Sequence, residues 1–503
     1  MLSQVEMSAV KRHKHLKVTT WLMLGIGLIA YMFSGGRWNI GVTAWIWPFA
    51  FLYFSRQTQT RKQFLLLVAA LAAGNMIKWL NVLDAGYWLD AVFCLLWSIF
   101  WVLPFLADRL LAQKLPGAFL SSLIFPTVFV SLEYLRALLP IGSIGLMAYT
   151  QTGFLPLVQI TSVIGSFGLS FLFFWFGAAV VTVIEKRQGR KLTAAVCLGL
   201  IAAAIGFGCI RLAAFPVSRE NTVRVASVIS PYYAKFSDDT YATLSAEESL
   251  QCFLSEAQRA ADGGAKIACW NEEAFALDDV DEPLLIDAAV TFSKSHDMIL
   301  IVCYEIADTD DSEDGESVNK SAIILQDGSV TEYIKTHLVP VMEIPGYVKG
   351  EGEIPTVVTD DGTLSNVICF DDSFIGYLRG TGAVTNEYFK NTDLLFVPSW
   401  DWKPVKNTHT DFSEYRAVEN GFALVKPTYD GISTAVDYQG RVIKRFDTAD
   451  TSFDTVQFAD VPITGVTTIY EKIGTAIDLV FCLSGFFMIA LRIIVFRREK
   501  HQS

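Results

Sequence analysis

The chain has 503 residues, 52% hydrophobic and 18% charged, with a formal net charge of −12 and a mean hydropathy of +0.37. Charged residues make up about a quarter of an ordinary soluble domain, so this composition excludes disorder, collagen, a small disulfide scaffold and a simple soluble enzyme. Charge is also unevenly placed: residues 222–461 hold 42 acidic and 17 basic side chains, a net of −25, against +13 for the remainder. An acidic, water-facing domain is set into a basic, apolar frame.

A spanning helix needs about 20 mostly apolar residues. Seven candidates come before the acidic region, at 18–34, 38–55, 63–82, 87–107, 117–139, 157–184 and 192–214, and an eighth follows it at 474–496. Trp38, Tyr53, Trp79 and Tyr87 sit near span ends, where interfacial rings gather. Lys11, Arg12, Lys14 and Lys17 precede the first span, and no small-residue cleavage site follows it, so it reads as a retained anchor. Basic residues recur in alternate loops: Arg56, Arg61 and Lys62, then Arg109 and Lys114, then Lys186, Arg187, Arg190 and Lys191, and finally Arg497, Arg498 and Lys500. With both termini cytoplasmic, the positive-inside rule puts the acidic region outside the cytoplasm. The expected division is a seven-span membrane domain over 1–215, a catalytic domain over 222–461, and a last span with a basic tail over 470–503.

The acidic region alternates strands and helices. Strands are predicted at Val223–Ile229, Ile267–Trp270, Met298–Cys303, Val367–Phe370, Leu394–Pro398 and Ala423–Lys426, and helices over 243–262, 282–296 and 409–420. Asp327-Gly328 and Gln439-Gly440 mark two hairpins, and Asp308–Glu316 is an acidic loop. The eight cysteines have no metal-like or disulfide-framework spacing. There is no phosphate-binding glycine motif, and an acidic surface repels polyanions, so no nucleic-acid partner is expected.

Three strands end in reactive side chains: a carboxylate at Glu272, an amine at Lys335 and a thiol at Cys369. A thiol needs a base to become a nucleophile, and a tetrahedral intermediate needs a fixed donor at its oxyanion. Taken singly, each residue also reads as a core thiol, a surface acid or a solvated strand end. The combination points to a catalytic set.

These residues lie in segments that resemble nitrilase-superfamily motifs. Trp270-Asn-Glu272-Glu-Ala274 resembles W-P-E-x-A. Tyr333-Ile-Lys-Thr-His-Leu-Val-Pro340 with Glu343 resembles Y-x-K-x-H-L-V-P-x-x-E, and Cys369-Phe-Asp371 resembles C-Y-E. Ser399-Trp-Asp-Trp402 and Arg416-Ala-Val-Glu-Asn-Gly421 resemble the later segments. In the apolar frame, Glu133-Tyr-Leu-Arg136, Thr152–Ile160 and Gly165–Phe171 resemble spans five and six of the apolipoprotein N-acyltransferase family. The departures are Asn271, Phe370, Asp371 and Val228-Ile-Ser-Pro231, so the chain reads as a divergent member.

The resemblance implies eight spans and an extracytoplasmic α-β-β-α sandwich in a bacterial inner membrane. It implies a ping-pong reaction with Cys369 as nucleophile, Glu272 as base, Lys335 as oxyanion donor, and Glu343 orienting Lys335 or the base. A phospholipid would be the acyl donor and the α-amine of a lipoprotein's diacylglyceryl-cysteine the acceptor, with no metal or cofactor. Phe370, Asp371, Tyr347, Trp400 and Trp402 are the expected substrate contacts. Loops 341–355 and 400–408 are read either as acyl-chain guides or as ordinary amphipathic loops. His409 and the Arg416–Glu419 pair are read as structural, and Glu133 with Arg136 as a salt bridge. A monomer suffices. Three alternatives remain open: a membrane-tethered amidase using the same residues, acyl transfer to another amine, and a non-catalytic lipid- or lipoprotein-binding scaffold.

Overall fold

The structure, a computed structural model, describes residues 4–82, 86–216, 221–230, 245–277, 281–306, 316–379, 392–449 and 454–502, with side chains from residue 18 to residue 494. The basic side chains at 11–17 and 497–500, Pro231 and most of the 308–316 loop lie outside the described residues.

The long apolar runs fold as helices, the form in which a chain surrounded by lipid satisfies its own backbone. In chain order these are α1 (Gln4–Met32), α2 (Thr43–Gln57), α3 (Arg61–Trp79), α4 (Tyr87–Leu111), α5 (Ala118–Ala137), α6 (Thr161–Ile184) and α7 (Arg190–Ala214). Five described helical segments are long and apolar enough to cross a membrane: Tyr87–Lys114, Ala118–Ala137, Thr161–Ile184, Arg190–Ala214 and the C-terminal Ile469–Ile494. Val18–Met32 is a shorter apolar helix. Leu96, Ile99, Leu192, Ile210, Val480 and Phe487 all face outward, an apolar band that suits lipid.

Span 157–184, expected as one helix, is broken. A short turn at Leu155–Val158 precedes α6, and Gly165 inside α6 has φ 65°. A Cβ at Gly165 would overlap the ring of Tyr470. Glycine both permits the left-handed backbone and lets the C-terminal helix approach. Tyr53 and Trp79, expected as interfacial rings, are placed differently: Tyr53 is in the helical core, and Trp79 lines a cavity described below.

The acidic region is a two-sheet sandwich. Its elements are β1 (Thr222–Val228), α8 (Ala246–Asp262), β2 (Ile267–Trp270), α9 (Glu282–His296), β3 (Ile299–Ile306), β4 (Val318–Ile324), β5 (Val330–Ile334), β6 (Thr356–Thr359), β7 (Gly362–Asn366) and β8 (Leu394–Phe396). They continue with α10 (Lys406–Asn420), β9 (Ala423–Lys426), β10 (Ile432–Val436), β11 (Val442–Asp447) and β12 (Val456–Pro462), and α11 (Ile469–Gln502) returns to the apolar frame. One sheet has the order β12-β1-β2-β3-β4-β5 and the other β11-β10-β9-β8-β7-β6. In each, three parallel strands (β1-β2-β3 and β7-β8-β9) are flanked by antiparallel neighbours.

The sheets face each other through Val225, Ile267, Ile299 and Ile323 on one side and Leu364, Leu394, Phe396 and Val425 on the other. These strands are buried on both faces, which is why they read as continuous apolar runs. Helices α8 and α9 cover one outer face through Phe253, Ala257, Leu285 and Phe292. Helix α10 covers the other, and its far side, with Phe412, Tyr415 and Val418, belongs to the core of the apolar helices.

Among the longer strands, two were not anticipated from the sequence. β6 is short and half exposed, and β12 pairs antiparallel with β1 along its whole length, Val456 opposite Val228 and Pro462 opposite Thr222. The strand expected at Val367–Phe370 ends at Asn366. Residues Cys369–Ser373 instead form a 3₁₀ turn.

The sandwich is fastened to the helices by buried polar contacts. Glu419 of α10 accepts from Ser166 N (2.9 Å) and Ser166 Oγ (2.6 Å) beside the Gly165 kink, and pairs with Arg416 at 2.9 Å. Arg416 Nη2 donates to Tyr149 Oη at 2.5 Å. Gln159 Nε2 donates to Gln439 O at 2.8 Å. Glu133 and Arg136, expected to pair with each other, do not. Glu133 Oε1 accepts from Met147 N (3.0 Å), and Arg136 Nη1 donates to Ile144 O (2.5 Å). Buried backbone groups of the 138–147 loop need partners, and these two side chains supply them.

Candidate active site

Each reactive side chain stands just beyond a strand end, where the chain leaves the sheet. Glu272 follows β2, Lys335 follows β5, and Cys369 sits on the turn after β7 with φ 47°, a left-handed conformation that is rare outside glycine. All three are buried, at 3%, 1% and 4% exposure. The turn is held from behind: Cys369 N donates to Pro398 O at 2.8 Å.

Glu272, Lys335 and Glu343 form one hydrogen-bonded group. Lys335 Nζ donates to Glu272 Oε1 at 2.7 Å and to Glu343 Oε1 at 2.5 Å. Glu272 Oε1 also accepts from Asn319 Nδ2 (2.8 Å), and Glu272 Oε2 accepts from Trp400 N (2.7 Å). Glu343 is anchored in turn by Val339 N. An ammonium has three donors, so Lys335 keeps one for a third acceptor. Burial acts to lower the Lys335 pKa, but Glu272 and Glu343 outweigh it and hold the ammonium well above the usual lysine range. The Cys369 thiol is pushed well above its ordinary value by burial and then by Glu272, with Lys335 and Lys426 opposing. At neutral pH the resting sulfur is therefore a thiol beside a carboxylate and an ammonium.

The expected substrate contacts divide. Phe370 and Trp402 line the same cavity as Cys369. Asp371 does not. It is fully buried, and its two oxygens accept from Tyr333 Oη (2.6 Å), Ile368 N (3.1 Å), His337 N (2.7 Å) and, at 2.9 Å, engage His337 Nδ1. That carboxylate braces the Cys369 turn against the β5 exit loop. Trp400 reaches the site through its backbone, and its ring packs on Tyr429. Tyr347 donates to Glu305 at 3.1 Å and stands outside the cavity wall.

The cavity has an empty volume of about 1050 Å³ including its open mouth. Cys369, Phe370, Trp402 and His409 line it. Its walls also include Val339–Val341, Trp79 at the end of α3, Val82 just beyond it, and Phe93 and Trp97 on α4. Its lining is almost wholly apolar. Trp402 Nε1 donates to Val82 O, which ties the 400–408 loop to the end of α3. Val341, which lines the cavity, and its neighbours Met342 and Ile344 are half exposed.

Three participants were not singled out from the sequence. Asn319, the second residue of β4, spreads one amide over Glu272 (2.8 Å) and Glu273 (3.0 Å). Lys426, fully buried at the end of β9, donates to Ser399 Oγ at 2.9 Å. Its signal was present: Phe422-Ala-Leu-Val-Lys426 repeats the pattern of an apolar strand ending in an amine. The third is the α4 face bearing Phe93 and Trp97, one helical turn apart and indistinguishable in sequence from lipid-facing rings. His409, read from sequence as structural, lines the cavity and is bound on both ring nitrogens, by Asp401 at Nδ1 and by Asp372 at Nε2 (3.1 Å).

Residues 25–179 match the sequence profile of the apolipoprotein N-acyltransferase N-terminal domain. The apolipoprotein N-acyltransferase of Rickettsia prowazekii is 24% identical over 349 residues, covering 65% of this chain and 67% of that one. The Rickettsia bellii enzyme of the same name is 25% identical over 58% of this chain and 60% of its own length. That of Geobacter metallireducens is 25% identical over 451 residues, 80% of this chain and 82% of the relative. Among solved structures, an amidase from Nesterenkonia sp. aligns with 50% of this chain and 95% of its own, at 17% identity and a TM-score of 0.39. With the profile on its helices and relatives of one name aligning with up to 80% of its length, the chain is similar to apolipoprotein N-acyltransferases well beyond the helices alone.

Proposed function

We propose that this bacterial membrane protein is an acyltransferase that moves a fatty acyl chain from a phospholipid, through a Cys369 thioester, to the α-amine of a lipoprotein's diacylglyceryl-cysteine. The observation that carries the reading is the apolar cavity that runs from Cys369 to Phe93 and Trp97 on a membrane-crossing helix. A lipid tail is the substrate part that gains most from such a wall, at about 0.8 kcal/mol per buried methylene. The half-exposed Val341, Met342 and Ile344 sit where the mouth would meet the bilayer.

In the first half-reaction Glu272 takes the Cys369 proton as sulfur attacks the ester carbonyl. The high thiol pKa means that proton removal accompanies attack instead of preceding it. The remaining Lys335 N–H stabilises the oxyanion. Cys369 N is already engaged by Pro398, so that amide is not an oxyanion donor. Glu272 returns the proton to the leaving lysophospholipid. In the second half-reaction the amine attacks the thioester, again with Glu272 as base. Glu343 keeps Lys335 aimed, and Asp371 keeps the Cys369 turn in place. The sandwich lies on the extracytoplasmic side, and the two termini lie in the cytoplasm. An impermeant thiol reagent applied to intact cells, acting on a cysteine placed at exposed Glu353, tests that orientation.

The decisive experiment is intact-protein mass spectrometry after incubation with phospholipid vesicles. The expected result is a fatty-acyl increment that hydroxylamine removes and Cys369→Ser lacks. Release of free fatty acid, with no amide formed when an acceptor peptide is present, would instead identify a hydrolase. No increment and no release, with Cys369 reduced, would remove the phospholipid-acyltransferase reading in favour of the amidase or the scaffold.

A further inference from the structure

Acyl transfer to an amine does not balance within the residues assigned so far. The first half-reaction is neutral: thiol plus ester gives thioester plus alcohol. In the second, the acceptor arrives at neutral pH as an ammonium. Of its three protons, one stays on the amide and one returns to Cys369 sulfur. One proton must leave the site in every turnover. Glu272 can receive it but has no exit, being 3% exposed with both oxygens bonded to protein donors.

Glu273 stands beside it. It fills the unspecified place in the W-P-E-x-A-like motif, and its φ of 49° turns it inward next to its neighbour. One oxygen from each of Glu272, Glu273 and Glu343 lies within 4.8 Å of the others, a spacing that a single bridging water spans. Lys335 donates to Glu272 and Glu343, whereas Glu273 shares only the Asn319 amide. Three buried carboxylates around one ammonium cannot all be ionised cheaply. The carboxyl without the lysine bond is the one that rests protonated. Burial, then Glu272 and Glu305, push its pKa in the same direction. On the outward side, Glu305 is buried and accepts from Tyr347, which is half exposed.

Resting on the acyltransferase reading, we propose that Glu273 is a proton-relay residue that clears the surplus proton of the aminolysis half-reaction. Glu273 gives its proton outward to Glu305 at the Tyr347 edge and refills from protonated Glu272. It touches no substrate and acts only through Glu272.

The two half-reactions separate this role from a structural one. Full-length wild type, Glu273→Gln and Glu273→Asp are incubated with phosphatidylethanolamine–phosphatidylglycerol vesicles, and Cys369 thioester formation is followed by mass. A synthetic diacylglyceryl-cysteine peptide is then added and thioester decay is followed. Glu273→Gln keeps the Asn319 acceptor. It should form thioester within about twofold of wild type and lose about tenfold or more in aminolysis near neutral pH, within the range for a positioned proton-transfer group. The loss should shrink on adding imidazole and should be smaller in Glu273→Asp. Equal slowing of both half-reactions, or unchanged aminolysis, overturns the relay. Failure of wild type itself to form a thioester overturns the acyltransferase reading instead.

Discussion

Lys335→Met removes the one ammonium that binds both Glu272 and Glu343, while keeping the bulk of the side chain. Two losses follow. The oxyanion donor of the proposed mechanism disappears, a change worth ~2.7–4 kcal/mol or about 100- to 1000-fold in rate. Two buried carboxylates also lose their shared cation; breaking a buried pair by removing one partner costs about 3–5 kcal/mol. The stability loss depends on pH. Glu343 is already held above the ordinary glutamate range by burial, with Lys335 opposing the rise. Without Lys335 it rises further. A carboxyl whose folded pKa exceeds its unfolded value binds protons better when folded, so the variant gains relative stability as pH falls toward the ordinary value of about 4.3. Wild-type Lys335 has the same sign in a different pH window. Its raised pKa contributes stability that is complete below the ordinary lysine range and fades only at strongly alkaline pH. The deficit of Lys335→Met should therefore be large at pH 8 and smaller at pH 5. Thermal unfolding in micelles across that range, with single-turnover thioester formation, measures both losses. A deficit that does not vary with pH, or thioester formation within tenfold of wild type, would refute this account of the site.

Val339→Trp fills the cavity beside Cys369. Excluding two methylenes at about 0.8 kcal/mol each should cut transfer from long-chain phospholipid more than tenfold while sparing short-chain esters, as a chain-length series would reveal. Glu419→Ala strands Arg416 and releases Ser166. A loss of ~3–5 kcal/mol, read as a lower Tm and faster proteolysis between sandwich and helices, is expected. Burial opposes charging of His409, but Asp401 and Asp372 outweigh burial and Lys426, so its pKa is raised. The stability His409 adds is therefore full below about pH 6.5 and lost as pH climbs through the higher folded value. The gap in Tm between wild type and His409→Gln should narrow over that interval.

The sequence showed the parts whose cause is local. Apolar runs declare helices wherever they pack, and the Asp327-Gly328 turn, with Gly328 at φ 88°, declared the β4–β5 hairpin. Glu272, Lys335 and Cys369 were legible only together, as a carboxylate, an amine and a thiol each following an apolar strand within motif-like segments. Contacts made across the fold were not. Asn319 looks like an ordinary polar residue until β4 sets it beneath two acids. Asp371 looked like a substrate contact by its position two residues after Cys369, but the 3₁₀ turn points it inward to Tyr333 and His337. Phe93 and Trp97 have the spacing of a lipid-facing stripe, and only the docking of the 339–341 loop makes them a cavity wall. Glu133 and Arg136 had pairing geometry on one helix, yet the unpaired backbone of the next loop claimed both.

Thr222 and Pro462 are cross-strand neighbours, so the sandwich begins and ends at one corner. Two stalks rising from a single point would let a rigid body swing like a flag on a pole. The Glu419–Ser166 and Gln439–Gln159 contacts are the guy-lines that stop it. Cut at that one seam, the sandwich is a graft whose removal leaves α7 and α11 joined by a single loop. A sandwich from a relative should therefore take on this frame if it brings its own partners for Ser166 and Gln159. If it lacks them, it should keep its fold and lose its alignment with the cavity wall on α4.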